Sequence, residues 1–233
     1  MDENNQNNIN VNADDLKKEA KETVNQVKDT FKNIDMKQET ENTKKYLSRF
    51  IKEPVTVIGE IAHDNTNSFL KVAVFLLVIL VAASFLSELF STASTLFSLG
   101  FGYFFKTFFS RTMNVLKSII NPVLMIAIIT AIIFFMNSKS KKSFVTTFTT
   151  VMAAFIPRVA AYVVSLLTVI PGAYRITSPV NGLLGLLTTV FTFFAVKELL
   201  DEPENDSAVK KFLIIEAIYY VVRFILSFLS ISI

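Results

Sequence analysis

The pattern of apolar and polar positions divides the chain into a polar front and an apolar remainder. Between residues 14 and 62, apolar residues recur at spacings of three and four, whereas residues 68–233 contain long apolar runs separated by short polar loops. The first pattern predicts helices with one apolar face. The second predicts helices that cross a membrane. We therefore expect an all-α chain, a polytopic membrane helical bundle preceded by amphipathic helices.

Five apolar runs come close to the roughly 20 residues that a helix needs to cross the hydrocarbon core. The predicted spans are 69–86, 119–136, 144–170, 180–196 and 212–231. Helices are expected because lipid offers no partner for an unpaired backbone group. The run 94–109 contains Gly100, Gly102 and Lys106, and its phenylalanines favour an interfacial or re-entrant helix instead of a sixth span.

The distribution of basic residues supports five spans. Lysine and arginine in short loops favour the cytosolic side of a membrane. A five-span chain with its amino terminus inside places nine basic residues on that side and four on the other: Arg49, Lys52, Lys71, Lys139, Lys141, Lys142, Lys197, Lys210 and Lys211 against Lys106, Arg111, Lys117 and Arg175. We therefore expect a cytosolic amino terminus and a carboxyl terminus outside.

Three regions follow from these patterns: a tail over 1–12, cytosolic helices over 13–66 and a membrane domain over 67–233. The asparagine-rich tail has almost nothing to bury and is expected to be disordered. The first helix carries one apolar stripe, formed by Leu16, Ala20, Val24, Val27, Phe31 and Ile34. This stripe predicts a helix that docks on another surface, with a self-pairing coiled coil as the alternative.

A second helix begins near Met36 and carries a basic stripe. Tyr46, Leu47, Phe50 and Ile51 share one face, and the flanking basic residues are Lys44, Lys45, Arg49 and Lys52. Such a helix suits a membrane surface with anionic lipid headgroups. Two other interpretations stay open: the helix packs on the membrane domain, or residues 13–62 recruit a protein partner. Pro54 suits the first turn of a third helix.

Composition agrees with a membrane protein and argues against enzyme chemistry. The chain is 52% hydrophobic, which is too apolar for an ordinary soluble domain. It has no cysteine and one histidine, His63, interpreted as an ordinary surface residue. The acidic loop 198–206 lacks the spacing of a calcium loop and predicts a solvated turn. We expect no catalytic residue, no metal, no cofactor and no nucleic-acid partner.

Charged residues inside predicted spans are the most informative polar positions, because ionisable groups in hydrocarbon are unfavourable by at least a few kcal/mol. These are Arg158, Glu216 and Arg223. We predict an interhelical polar network of these three with Tyr162, Tyr219 and Tyr220. The network is either a structural clasp or a polar pathway, as in a small transporter or channel. Pro157 predicts a kink beside Arg158.

Three stretches carry a family resemblance: "RFIKEPVTVIGEIAHD", "FIPRVAAYVVSLLTVI" and "LLTTVFTFFAVKELLDEPENDSAVKKFLIIEAIYYVVRFIL". Over residues 45–233 the chain resembles the Yip domain family of Ypt/Rab-interacting membrane proteins and their bacterial relatives. The resemblance implies five spans, a cytosolic amino terminus, and a role in membrane organisation or partner binding. It does not extend to GTPase binding, because "AHDNTNSFLKVAV" replaces the aspartate, aromatic, glycine, proline motif of eukaryotic members.

The heavy use of Asn, Lys, Ile and Phe points to a bacterial-type member in the cytoplasmic membrane. The expected function is a non-enzymatic, multi-pass membrane protein that organises the membrane or binds a partner through its amino-terminal helices. Anionic lipids, a protein partner and a second copy of the chain are the expected partners. The competing interpretation is a transporter or channel that uses Arg158, Glu216 and Arg223.

Overall fold

The structure is a computed structural model that describes residues 13–33, 35–64, 66–137, 142–170 and 172–228, without the side chains of 13–17, 19–20, 93–101, 103–109, 111, 169 and 227–228. This part of the chain is all-helical and contains no strand. The elements are α1 (Ala13–Lys32), α2 (Met36–Lys52), α3 (Pro54–Ala62), α4 (Leu70–Met136), α5 (Phe144–Ala154), α6 (Ile156–Ser165), a 3₁₀ turn (Leu166–Val169), α7 (Tyr174–Leu199) and α8 (Asn205–Phe228). The predicted tail 1–12 lies outside the described residues.

The long helix α4 folds back on itself. The Ser84 hydroxyl donates a hydrogen bond to the Ser118 carbonyl at 2.7 Å. A straight helix would separate these residues by about 51 Å, at 1.5 Å per residue. The chain therefore reverses direction between them, and α4 consists of a first limb, Leu70–Thr92, and a second limb, Thr112–Met136. The predicted interfacial run 94–109 falls in the helical connection, where its side chains lie outside those described.

Within the described part of the chain, three helical segments are long and apolar enough to cross a membrane: the two limbs of α4 and α7. They correspond to the predicted first, second and fourth spans. A fourth crossing results if α5 and Ile156–Thr168, which meet at a bend of 49°, count as one broken span. Helix α8 does not qualify, because every 18-residue stretch of it carries at least three charged residues. The count of five spans stays a prediction.

The bend between α5 and α6 lies where the sequence predicts a kink. Helix α5 is capped by the preceding Ser143, whose hydroxyl accepts a hydrogen bond from the Thr146 backbone N–H at 3.0 Å. It ends at Ala154, and α6 begins with Pro157 in its first turn. Since proline has no N–H to donate and its ring crowds the preceding turn, the helix breaks here. Four threonines of α5 are nevertheless buried, with hydroxyls bonded within the helix: Thr146, Thr147, Thr149 and Thr150.

The buried core is concentrated at one end of the bundle. Val57 and Ile58 of α3 are fully buried in one cluster with Leu80 of α4, Met152 of α5 and Leu199 of α7. Large apolar side chains farther along the helices are exposed, including Leu183, Leu186, Val221 and Phe224. These lie roughly 20 Å or more along α7 and α8 from the buried end, by helical rise. Apolar side chains are therefore exposed along the parts of α7 and α8 that lie away from α3.

The amino-terminal helices pack on the bundle through part of their predicted faces. On α2, Tyr46, Leu47 and Phe50 contact the core, and the Tyr46 ring lies edge-on to Phe69 with 4.8 Å between centroids. Ile51, predicted to share this face, is instead 80% exposed. Successive helical residues are about 100° apart, so burial of Phe50 turns Ile51 outward.

Helix α1 lies against the first limb of α4, where Val27 contacts the core. Its neighbours on the predicted stripe, Val24 and Phe31, are 64% and 59% exposed. Leu16, Ala20 and Ile34, the other predicted stripe residues, have side chains outside those described. The described part of the stripe faces α4 but packs on it only loosely.

Candidate functional site

The basic stripe predicted on α2 borders a polar cavity. All four of its residues, Lys44, Lys45, Arg49 and Lys52, are exposed. Lys45 and Arg49 line a cavity of about 390 Å³ between α2 and the start of α4. Lys71, from the first turn of α4, adds a third basic side chain to this cavity, which we call the basic pocket. Lys71 was not part of the predicted stripe, because only the fold brings it beside α2.

Arg49 is paired within this region. Its Nη1 and Nη2 atoms donate hydrogen bonds to the two carboxylate oxygens of Glu60 on α3, at 2.6 and 2.5 Å. The hydrogen bonds from Arg49 lower the pKa of Glu60, against the opposing effect of slight burial. Two-pronged pairing of this kind fixes the geometry of both groups. The pair therefore holds α2 against α3 across the turn at Glu53.

The loop that leads into the first limb is organised by Asp64. Its carboxylate accepts hydrogen bonds from the backbone N–H and hydroxyl groups of both Thr66 and Ser68, at 2.5 to 2.8 Å. Partial burial raises the pKa of the Asp64 carboxyl, but these hydrogen bonds outweigh that effect and lower the pKa to about 2. Asp64 thus fixes the chain between α3 and α4, beside the basic pocket that Ser68 also lines.

A second charged cluster joins three loops at the end of the bundle where α3 lies. The ring nitrogens of His63 are 3.9 Å from a Glu198 oxygen and 3.7 Å from an Asp201 oxygen, and Lys142 Nζ is 3.6 Å from Asp201. We call this end of the bundle, where α3 and the three loops meet, the loop end. The sequence interpretation of His63 as an ordinary surface residue missed the cluster, because its members are up to 138 positions apart and share no spacing.

The acidic loop is also more structured than the predicted solvated turn. Besides the contacts of Glu198 and Asp201, Glu202 forms an ion pair with Lys211 at the start of α8. Lys197 donates a hydrogen bond to the Asn205 side chain at 2.8 Å. These contacts tie the end of α7 to the beginning of α8. In the part of the chain that the structure describes, no group of three or more His, Asp or Glu side chains is arranged to hold a metal ion.

The predicted intramembrane residues are brought together in part. The Arg158 guanidinium lies over the Tyr162 ring, 5.4 Å from its centroid, and its buried Nε has no hydrogen-bond partner among the residues that the structure describes. Tyr219 of α8 lies within electrostatic range of Arg158, Glu216 and Arg223, and its ring centroid is 5.5 Å from that of Tyr220.

Direct charge pairing is not part of this arrangement. Among the described residues, no ion pair within 4.0 Å includes Arg158, Glu216 or Arg223. Tyr219, which is buried, is the residue of this group that lies within electrostatic range of all three. The complete six-residue network stays a prediction.

Comparisons with protein-family models, with curated proteins and with solved structures gave no match to the chain. The resemblance to the Yip domain family therefore stays a prediction. What the structure itself gives is a helical chain with three or four candidate membrane crossings, compatible with an integral, multi-pass membrane protein.

Proposed function

We propose that this chain is a non-enzymatic, five-span membrane protein of the Yip domain type, which organises the membrane or binds a partner through its amino-terminal helices. The observation that carries this proposal is the division of the bundle into two zones. At the loop end, α2 and α3 contribute to a buried core, whereas apolar side chains such as Leu186 and Phe224 are exposed farther along the helices. An exposed apolar belt of this kind suits contact with lipid.

The loops assigned to the cytosol by their charge also lie together. Lys142, between the second and third predicted spans, contacts Asp201, between the fourth and fifth. His63, which precedes the first span, lies beside the same aspartate. A five-span topology requires these three segments to be on one side of the membrane, and the loop end satisfies this requirement.

Cysteine labelling tests the topology directly, since the natural chain has no cysteine. Single substitutions Ser110→Cys, Thr168→Cys and Ser232→Cys should react with a membrane-impermeant maleimide in intact cells. Lys142→Cys and Glu204→Cys should react only after permeabilisation. If Ser232→Cys reacts only after permeabilisation, the fifth membrane crossing is contradicted. Equal labelling of the Thr168→Cys and Glu204→Cys variants in intact cells would contradict the topology as a whole.

The surface offered to a partner is the outer side of α2. Ile51 is exposed there together with Lys44 and Lys52, so the surface combines an apolar anchor with positive charge. A photo-crosslinking residue at position 51 of the full chain, in native membranes, should give a discrete protein or lipid adduct. The adduct should weaken on Lys44→Glu with Lys52→Glu, and a crosslinker at Asn25 is the matched control. Equal adducts from both positions would argue against a specific surface.

A small transporter or channel is the second candidate, and one observation favours it. The buried Nε of Arg158 lacks a hydrogen-bond partner, and such a group is unfavourable in a purely structural clasp. A transport pathway would use this free donor for a solute. Solute flux in reconstituted vesicles that is lost on Arg158→Gln, and kept on the exposed Arg175→Gln, would decide for this function.

A further inference from the structure

The basic pocket has the groups that an anionic phosphate needs. Lys45 and Lys71 line it, and neither forms an ion pair within 4.0 Å among the described residues. Asn42 adds an amide nitrogen that can donate two hydrogen bonds, one of which goes to Glu39. Three acids lie at or beside the pocket: Glu39 lines it and accepts a hydrogen bond from Asn42 at 3.3 Å, Glu60 pairs with Arg49, and Asp64 accepts a hydrogen bond from the Ser68 hydroxyl. Of the described residues that line the pocket, three are basic and one is acidic, so the lining has a net positive charge.

An apolar groove runs along the same helix limb. It has a volume of about 530 Å³, and among the described residues that line it Lys28 alone is polar. Val24 and Phe31 of α1 form one wall, and Leu77, Val81 and Ala82 belong to the other. The partial exposure of Val24 and Phe31 results from this unfilled space between α1 and α4.

The pocket and the groove follow one another along α4. Lys71 and Val72 line the pocket, and the groove begins at Val74, one turn farther along the helix. From Lys71 to Ala82 the helix rises about 16 Å. This length is close to half of the roughly 30 Å hydrocarbon core and so to the length of one acyl chain. A basic pocket and an apolar groove of this length are complementary to the two ends of a phospholipid.

The volume of the groove suits a single hydrocarbon chain better than a whole protein helix. A helix with side chains is at least 10 Å across, so a segment 16 Å long needs on the order of 1,200 Å³. The groove offers less than half of that volume. A single hydrocarbon chain is much thinner and needs no polar partner inside the groove.

We infer that one anionic phospholipid binds here, with its headgroup phosphate between Lys45 and Lys71 and one acyl chain between α1 and the first limb of α4. This inference rests on the membrane association proposed above and identifies a lipid as a specific ligand of the amino-terminal helices. The acyl chain of the lipid covers the exposed sides of Val24 and Phe31. Binding therefore fixes α1 against the bundle.

The headgroup is tested with the full chain in a nonionic detergent and palmitoyl lysophosphatidylglycerol as the probe, with bound lipid counted by native mass spectrometry. A basic residue near an anionic lipid strengthens binding roughly five-fold. Lys45→Gln with Lys71→Gln should therefore weaken binding about 30-fold. Lys210→Gln, which removes an exposed charge at the start of α8 outside the pocket, should leave it unchanged, and Lys71→Arg should retain most of it.

The acyl chain is tested by filling the groove. Ala82→Leu should weaken binding of the same lipid about tenfold, as expected if about two methylene groups are displaced. Ala127→Leu, at an exposed position of the second limb outside the groove, is the matched control. Thermal unfolding without lipid must be the same for each variant and its control, so that a folding defect is recognised as such.

Glycerol phosphate distinguishes a lipid from a soluble anion. Binding of glycerol phosphate as tight as that of the lipid, with no effect of Ala82→Leu, would assign the pocket to a soluble phosphate compound and overturn the inference. Equal lipid binding by all variants would mean unspecific adsorption and would also overturn it. Neither result affects the cysteine-labelling test of the topology, so the two proposals fail independently.

Discussion

The Ser84 hydroxyl donates a hydrogen bond to the Ser118 carbonyl across the two limbs of α4. Ser84 is buried, so Ser84→Ala leaves this carbonyl without its donor and should lower the free energy of unfolding by about 1 kcal/mol. Ser118→Ala is a matched control, because it keeps the backbone acceptor. Thermal or denaturant unfolding in detergent measures both, and equal losses for the two variants would show that the inter-limb bond is not the cause.

Asp64 should make the protein sensitive to acid at low pH. Its pKa is lowered to about 2 in the folded chain, so its stabilising effect is complete above the ordinary value of 3.8 and is lost as the pH falls toward 2. After allowance for solvent screening this effect is about 1–2 kcal/mol.

Asp64→Ala should therefore lower the melting temperature at pH 7 and reduce its dependence on pH between 4 and 2. Ser68→Ala removes only the hydroxyl donor and should give a smaller change. A pH profile of Asp64→Ala that is identical to that of the natural chain would contradict the role of the carboxylate.

Glu60 should add a second acid-sensitive contribution. Hydrogen bonds from Arg49 lower its pKa below the ordinary value of 4.5, so the pair stabilises the fold above that pH and weakens as the pH falls through the lowered pKa. In Glu60→Gln this dependence should be absent, and the change at pH 7 should be small because the pair is exposed. Glu41→Gln, an exposed residue of α2, is the control. High salt should reduce the difference between natural chain and variant.

Glu216 should stabilise the packing of α8 through the two arginines. Tyr219 is close to Glu216, Arg158 and Arg223, so removal of the negative charge leaves two positive charges in this region without compensation. Glu216→Gln should lower the yield of folded protein and its thermal stability in detergent. Glu204→Gln in the exposed acidic loop should have little effect. Unchanged stability of Glu216→Gln would argue strongly against the predicted network.

Much of the helical architecture could be predicted, because it depends on local pattern. The long apolar runs predict the two limbs of α4 and the central part of α7, and Pro157 predicts the bend near Arg158. The spacing of apolar residues also predicts α1 and α2. These features follow from residues close together in the chain, whose helical period and hydrophobicity can be read directly.

The candidate sites depended on long-range contacts and could be predicted only in part. The stripe that includes Lys45 and Arg49 is visible in the sequence, but its pairing with Glu60 and the addition of Lys71 are not. Phe50 is buried and Ile51 is exposed because one particular side of α2 packs against the bundle. The spacing of apolar residues locates the apolar side of a helix only to within a wide arc of its surface. The element that packs against the helix decides which residues in that arc are buried.

The sequence by itself determined that this chain is helical, rich in apolar segments and basic at the entrance to the first of them. Hydrophobic runs and helical periods are properties of neighbouring residues, so no partner is needed to establish them. Only the tertiary structure decided that α4 folds back so that Ser84 contacts Ser118, that His63 lies beside Asp201, and that Lys71 completes the basic pocket. Each of these contacts joins residues distant in the chain, and the packing of the helices alone brings them together.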